Sequence, residues 1–153
     1  MSDSKKGGKP RLYGKKGLKS IGITLLYILV LLGLIYVIPQ TLSWVLDTDH
    51  PMASITSRSM WPALNKGDLV FIKGVGHKAE IQIGDIIVYK NPKGFTIHRV
   101  IKLKEDSLVT QGDANNIKDA AIKYEEVVGK AVILKGKPAK IPFLGNISVW
   151  IKR

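Results

Sequence analysis

The 153-residue chain contains no cysteine. That excludes a disulfide framework, a zinc-thiolate site and a cysteine nucleophile. Histidine is scarce: His50, His77 and His98 are the three present, and they are scattered along the chain. Their spacing disfavours a metal centre, which needs ligands that converge. The G-x-S-x-G elbow of α/β-hydrolases is missing. No acidic or basic residue occurs from Ile21 to Ile38. Past Asp49, no stretch shows a convincing amphipathic helical period.

The charge-free stretch reads IGITLLYILVLLGLIYVI, eighteen residues. At about 1.5 Å per residue it reaches roughly 27 Å, close to the ~30 Å of a bilayer's hydrocarbon core. A buried helix of that length in a soluble core would show a polar face, and this one has none. A cleavable leader has an apolar region of only ~7–15 residues, followed by a small-x-small site. Here Pro39-Gln40-Thr41-Leu42-Ser43-Trp44 follows instead. The run therefore predicts a retained transmembrane helix.

The formal net charge is +12. Lys5, Lys6, Lys9, Arg11, Lys15, Lys16 and Lys19, set against Asp3, place +6 of it ahead of the apolar run. The rest is spread thinly, without the basic-aromatic clustering of a nucleic-acid binder. Residues 1–20, rich in Lys, Gly and Ser, predict a disordered basic tail. By the positive-inside rule this tail is cytoplasmic, and the residues after the span lie outside or in a lumen.

The rest of the chain changes period. Asp68–Lys73, Asp85–Tyr89, Thr96–Leu103, Ser107–Gln111 and Val127–Leu134 are short β-branched runs. Asn65-Lys66-Gly67-Asp68, Gly74-Val75-Gly76, Asn91-Pro92-Lys93-Gly94 and Gly112-Asp113 punctuate them. The expectation is a mainly β fold, a small β-barrel or sandwich-like domain behind one N-terminal helix. Asn91-Pro92-Lys93-Gly94 predicts a hairpin turn. Asp119–Glu126 is expected to form no more than one helical turn, and Ile141–Ile151 either a last strand or a membrane-facing segment. The chain divides into a tail (1–20), a span (21–38), a linker (39–53) and a β-rich domain (54–153).

Ser57-Arg58-Ser59-Met60-Trp61-Pro62 opens that domain. Pro62 fixes its own φ and keeps Trp61 out of helical geometry, which stiffens the backbone after Ser59. A serine hydroxyl becomes a nucleophile only when a base takes its proton, and imidazole, ordinarily titrating near 6.5, suits that task. Of the histidines, His98 alone sits inside a predicted strand, sharing a face with Thr96 and Val100. His50 and His77 read as solvated loop residues. A base also needs an orienting carboxylate, and Asp113 and Asp119 share the polar loop after the next strand, where either is able to reach it. Asp68 and Asp85 each follow a glycine ahead of a strand and read as turn residues.

Taken together, Ser57–Ala63, Lys66-Gly67-Asp68, Gly84–Tyr89, Ile97–Val100 and Gly112–Asn116 resemble the signal peptidase I family, in its archaeal and endoplasmic-reticulum branch. The resemblance implies that Ser59 is the nucleophile and His98 the general base, since the bacterial branch has lysine at that position. It matches Asp113 and Asp119 to two acids of the branch, Asp119 favoured for the triad and Asp113 as support. It matches Ser57 to a serine whose hydroxyl helps the Ser59 amide bind the oxyanion. The usual Ser-Gly-Ser-Met-Glu-Pro is altered here by Arg58 and Trp61. The implied activity is removal of signal peptides from secretory preproteins by a membrane-anchored serine endopeptidase, without cofactor or metal. The implied partners are the preprotein, the lipid bilayer and the translocation machinery, with no nucleic acid. Two other readings are a non-catalytic membrane-tethered β module that binds a protein partner, and another processing peptidase on the same scaffold.

Overall fold

A computed structural model describes residues 15–92 and 94–146. It divides into two compact units on either side of the Ile38–Pro39 bond. Helix α1, Lys15–Leu46, contains the apolar run. Its Lys19–Leu46 stretch is long and apolar enough to cross a membrane, the single such helix among the described residues. The helix extends beyond both edges of the expected 21–38 span. Lysine is a good helix former, so the helix starts at Lys15, inside the expected basic tail. At the other end Pro39 removes only its own donor, and Gln40–Leu46 carries no charge or glycine to break the helix. Asp47, at φ 49°, then takes the left-handed conformation and the Thr48 amide donates to the Ser43 carbonyl at 3.1 Å. That pairing closes the helix end in a Schellman arrangement. Residues 1–14 of the expected tail lie outside the described residues.

The second unit is built on strands: β1 Met52–Ser54, β2 Leu69–Lys73, β3 Ile86–Asn91, β4 Gly94–Leu103, β5 Ser107–Gln111, β6 Ile122–Lys123 and β7 Val127–Ala131. Short pairs β8 Ile133–Leu134 with β9 Lys137–Pro138, and β10 Lys140–Ile141 with β2, complete it. The main sheet runs β1-β2-β7-β3-β4-β5-β6, with every described pairing antiparallel. The expected hairpin is present, with Asn91 opposite Gly94. The expected 127–134 strand breaks after Ala131: the Val132 amide still donates to the Phe71 carbonyl of β2 at 2.9 Å, and Ile133–Leu134 then pairs with β9 instead. Asp119–Glu126 supplies β6 and one 3-10 turn, Tyr124–Glu126. Of Ile141–Ile151, Ile141 ends β10, and residues 147–151 lie outside the described residues.

Strand β3 is buried on both faces, so its alternating side chains seed two cores. Ile86 and Val88 join Ile55, Met60, Leu64, Val70 and Ile72. Ile87 and Tyr89 join Ile81, Val100, Leu108 and Ile122. Before β2 and before β3 the same turn recurs. Gly67 and Gly84 take φ of 91° and 96°, which a side chain would resist. The next residue, Asp68 or Asp85, accepts the amide of Asn65 or Gln82 at 2.8 and 3.0 Å. The two acids are thus turn residues, as expected, and each is also ion-paired: Asp68 with Lys140 at 2.7 Å and Asp85 with Lys130 at 3.0 Å.

Candidate active site

Ser59 is placed by the residues that follow it. Met60 and Leu64 are fully buried in the first core and fix the loop from below. The Leu64 amide donates to the Met60 carbonyl at 2.8 Å, and Trp61 donates to Arg58 at 3.1 Å. Arg58 and Trp61 are exposed, and the Trp61–Pro62 bond is cis. Ser59 is half-buried between them, its hydroxyl open to the cleft.

A second loop docks on the first. The Ala114 amide donates to the Ser59 carbonyl at 2.8 Å. Gly112 makes this approach possible, since a Cβ there would lie 2.6 Å from that same carbonyl oxygen. The Gly112–Asn115 turn follows directly from β5, which pairs with β4, the strand carrying His98. The sheet and the loop contact therefore bring the hydroxyl and the imidazole together.

His98 is 8% exposed. Its Nε2 lies 3.1 Å from Ser59 Oγ, and its Nδ1 lies 2.5 Å from Asp119 Oδ2. With the proton on Nδ1 donated to the carboxylate, Nε2 is an acceptor aimed at the serine hydroxyl. Ser57 Oγ is 3.0 Å from Ser59 Oγ and accepts the Ser59 amide at a long 3.4 Å. Asp113 is held elsewhere. Arg99 grips it with two bonds, Nε to Oδ1 at 2.8 Å and Nη2 to Oδ2 at 2.7 Å, while Arg99 Nη1 donates to the Gly84 carbonyl at 2.8 Å. The hydrogen bond to Asp113 raises the Arg99 pKa above its ordinary value. Of the two acids, Asp119 meets the imidazole, whereas Asp113 ties its loop to the β3 turn through Arg99.

Ser59 and His98 line a cleft of about 370 Å³. Its apolar lining includes Ala53, Ile55, Val88, Phe95 and Ile97. Strand β1, which carries Ala53, is terminal in the sheet order. His50 is exposed, with its ring 5.2 Å from that of Phe95, and His77 is exposed beside the 3-10 turn at Lys78–Glu80. Among the described residues no group of three or more potential metal ligands gathers.

A hydroxyl bonded to an imidazole that is bonded to a carboxylate is the constellation of nucleophilic acyl transfer. The model of one family, described as Peptidase S24-like, matches residues 33–132. The chain belongs to that family. This peptidase is 31% identical over 139 residues to the signal peptidase complex catalytic subunit sec11 of Neurospora crassa, covering 80% of each chain. It is 29% identical over 172 residues to the subunit of that name in Schizosaccharomyces pombe, covering 92% of this chain and 86% of the relative. The Candida albicans counterpart is 31% identical over 121 residues, covering 73% and 72%. These relatives bear out the resemblance to the endoplasmic-reticulum branch of the signal peptidase I family.

Two residues of the peptidase's site are missing from the sequence reading. Thr110, fully buried, donates its hydroxyl to Asp119 Oδ2 at 2.6 Å. Tyr89 interacts with both Thr110 and Asp119; its phenol pKa is raised, first by burial and then also by the Asp119 charge. The signal for Thr110 lay in the alternation of Ser107–Gln111, which turns it inward beside Leu108 as a polar residue on a core face.

Proposed function

We propose that Ser59 is the nucleophile, His98 the general base and Asp119 the orienting acid of a membrane-anchored serine endopeptidase that removes signal peptides from preproteins. The observation that carries this reading is the relay from Ser59 Oγ to His98 Nε2 at 3.1 Å and from His98 Nδ1 to Asp119 at 2.5 Å. A module that merely bound a partner would have no use for it.

In the forward step Ser59 Oγ bonds to the scissile carbonyl carbon as its proton passes to His98 Nε2. Asp119 stabilises the imidazolium that results. The Ser59 amide and the Ser57 hydroxyl, both beside Ser59 Oγ, donate to the oxyanion. Collapse of the intermediate breaks the C–N bond, and His98 returns its proton to the leaving amine. Water then adds to the acyl-enzyme by the same route in reverse, releasing the signal peptide with a free carboxylate. Asp113 acts at one remove, through Arg99 and the loop that docks on Ser59.

Signal-peptide cleavage sites have small residues at the minus-one and minus-three positions. The apolar walls at Ala53, Ile55, Val88 and Ile97 suit such side chains. An extended substrate segment lies along the terminal strand β1 as an added strand. The basic residues before the span support a cytoplasmic N-terminus, a peptidase domain on the extracytoplasmic or lumenal side, and the division into tail, spanning helix and catalytic domain. As the relatives are subunits of a signal peptidase complex, partner subunits join the preprotein, the bilayer and the translocation machinery as partners.

The test is cleavage of a model preprotein by the full chain in detergent. Ser59→Ala should abolish it; continued cleavage at the same bond would overturn the assignment. Protease added to the domain side of oriented vesicles should cut between Lys73 and Lys140 and spare Lys5–Lys19, and the opposite pattern would reverse the topology.

A further inference from the structure

A hydroxyl in the middle of a core is an anomaly. Thr110 has no exposed surface, and its neighbours on the same face are Val100, directly opposite, and Leu108, two residues back. Valine has the same shape, would pack against them as well, and would leave no polar atom to satisfy. The threonine hydroxyl is instead committed to one acceptor, Oδ2 of Asp119, at 2.6 Å. That oxygen is also the partner of His98 Nδ1.

The backbone of the same two residues is bonded as well. The Asp119 amide donates to the Thr110 carbonyl at 2.8 Å. Asp119 lies outside any strand, nine positions past Thr110, and its side chain is 22% exposed. Nothing in its local backbone would fix the carboxylate, which without a second donor has solvent as an alternative. Thr110 therefore grips Asp119 twice, once at the main chain and once at the charge, from a strand that cannot move without disturbing the second core.

We propose that Thr110 is a positioning residue of this peptidase: its hydroxyl fixes the Asp119 carboxylate in the orientation that meets His98 Nδ1. It touches neither substrate nor the reacting atoms and acts only through Asp119. Tyr89 supports the arrangement from β3. Its ring packs in the second core, and its phenol interacts with both Thr110 and Asp119. The inference rests on the triad reading above and adds a fourth member to it.

The experiment compares Thr110→Val, Thr110→Ala and Thr110→Ser in the full chain in detergent. Each is assayed on a peptide with alanine at the minus-one and minus-three positions, with Ser59→Ala as the inactive reference. Removing the hydroxyl should lower kcat about 10²-fold, the usual effect of a misplaced catalytic group, with KM within about twofold. Thr110→Ser should recover most of the loss. The far-downfield proton resonance of the His98 Nδ1–H···Asp119 bond, a readout independent of turnover, should shift or broaden in Thr110→Val and Thr110→Ala and remain in Thr110→Ser. Wild-type kcat together with an unmoved resonance in the valine chain would overturn the proposal. So would equal losses in Thr110→Val and Thr110→Ser, which would mark a packing effect. Should the valine chain fail to fold, the alanine and serine chains decide in the same terms. An active Ser59→Ala, by contrast, would overturn the triad reading itself.

Discussion

The carbonyl oxygen of Ser59 accepts a hydrogen bond from the amide of Ala114 at 2.8 Å. The backbone of the proposed nucleophile is thereby joined to the loop that leads from Asp113 to Asp119, so the two halves of the hydrogen-bonded relay are registered by a main-chain contact. Side-chain chemistry at the site depends on that seam, and the seam depends on Gly112.

Gly112→Ala is accordingly expected to impair cleavage without touching any reacting group. The new methyl would meet the Ser59 carbonyl oxygen at 2.6 Å and the Asn115 side-chain Nδ2 at 2.7 Å, and the loops must part to admit it. A shift of about 1 Å at a catalytic group costs roughly 10²-fold. Steady-state kcat/KM beside a thermal melt checks this, and an active, folded Gly112→Ala chain would show that the loop contact is not needed.

Ser57→Ala should lower kcat by about 10²-fold, the effect of one oxyanion donor, whereas Ser59→Ala leaves no turnover. Equal losses in single-turnover assays would mean that the two hydroxyls share one role.

Asp119→Asn should cost about 10⁴-fold, since an amide there favours the wrong imidazole tautomer. Asp113→Asn should cost less, because Arg99 retains its bond to the Gly84 carbonyl and part of its grip on the loop. His98→Lys is expected to be inactive: the Asp119 carboxylate beside that position would hold an ammonium in its charged form, against the effect of burial. Rates for the three variants on one preprotein rank these roles, and a dead Asp113→Asn beside a normal Asp119→Asn would exchange the acids.

Lys140→Met is expected to lower stability by about 3–5 kcal/mol, the usual cost of stranding a buried charge. Asp68 is 3% exposed and Lys140 is its ionic partner, also donating to the Ala63 carbonyl at 3.0 Å in the loop after Ser59. Denaturant unfolding measures the loss, which should shrink when Asp68→Asn is added. A change below about 1 kcal/mol would place the pair among surface ion pairs.

Tyr89 links stability to alkaline pH. Its phenol titrates above the ordinary value in the folded chain, chiefly because it is buried, so folding favours the protonated form. That contribution is complete below about pH 10, where the unfolded phenol titrates, and is lost as pH rises through the folded value. The stability advantage of the wild type over Tyr89→Phe should therefore narrow above pH 10 in paired unfolding curves. A constant gap would contradict it.

Much of this was legible in the chain. Asp85–Tyr89 and Thr96–Leu103 are β-branched runs bounded by turn residues, and they became β3 and β4 with the hairpin between them. His98 stood out as the one histidine inside a predicted strand, whereas Ser59 and the choice of Asp119 over Asp113 rested on the family resemblance. Strands β1, β6, β9 and β10 were not legible: at two or three residues they have no period of their own, and a neighbouring strand is what makes them strands. The helix beyond Pro39 was not legible because the continuous apolar run that marks the span ends at Ile38. The Thr110–Asp119 bond was hidden for another reason, since no local rule relates a strand residue to a loop carboxylate nine positions on.

Val88 lines the cleft on one side and packs in the first core on the other. Phe95 lines the same cleft but is 59% exposed and belongs to neither core. The two positions therefore differ in how freely they can diverge. A lineage that came to accept bulkier side chains could trim Phe95 with little harm to folding, whereas hollowing out Val88 would draw on the packing that keeps Ser59 in place. Changes in preference should accumulate at the rim of the cleft while its floor stays almost fixed.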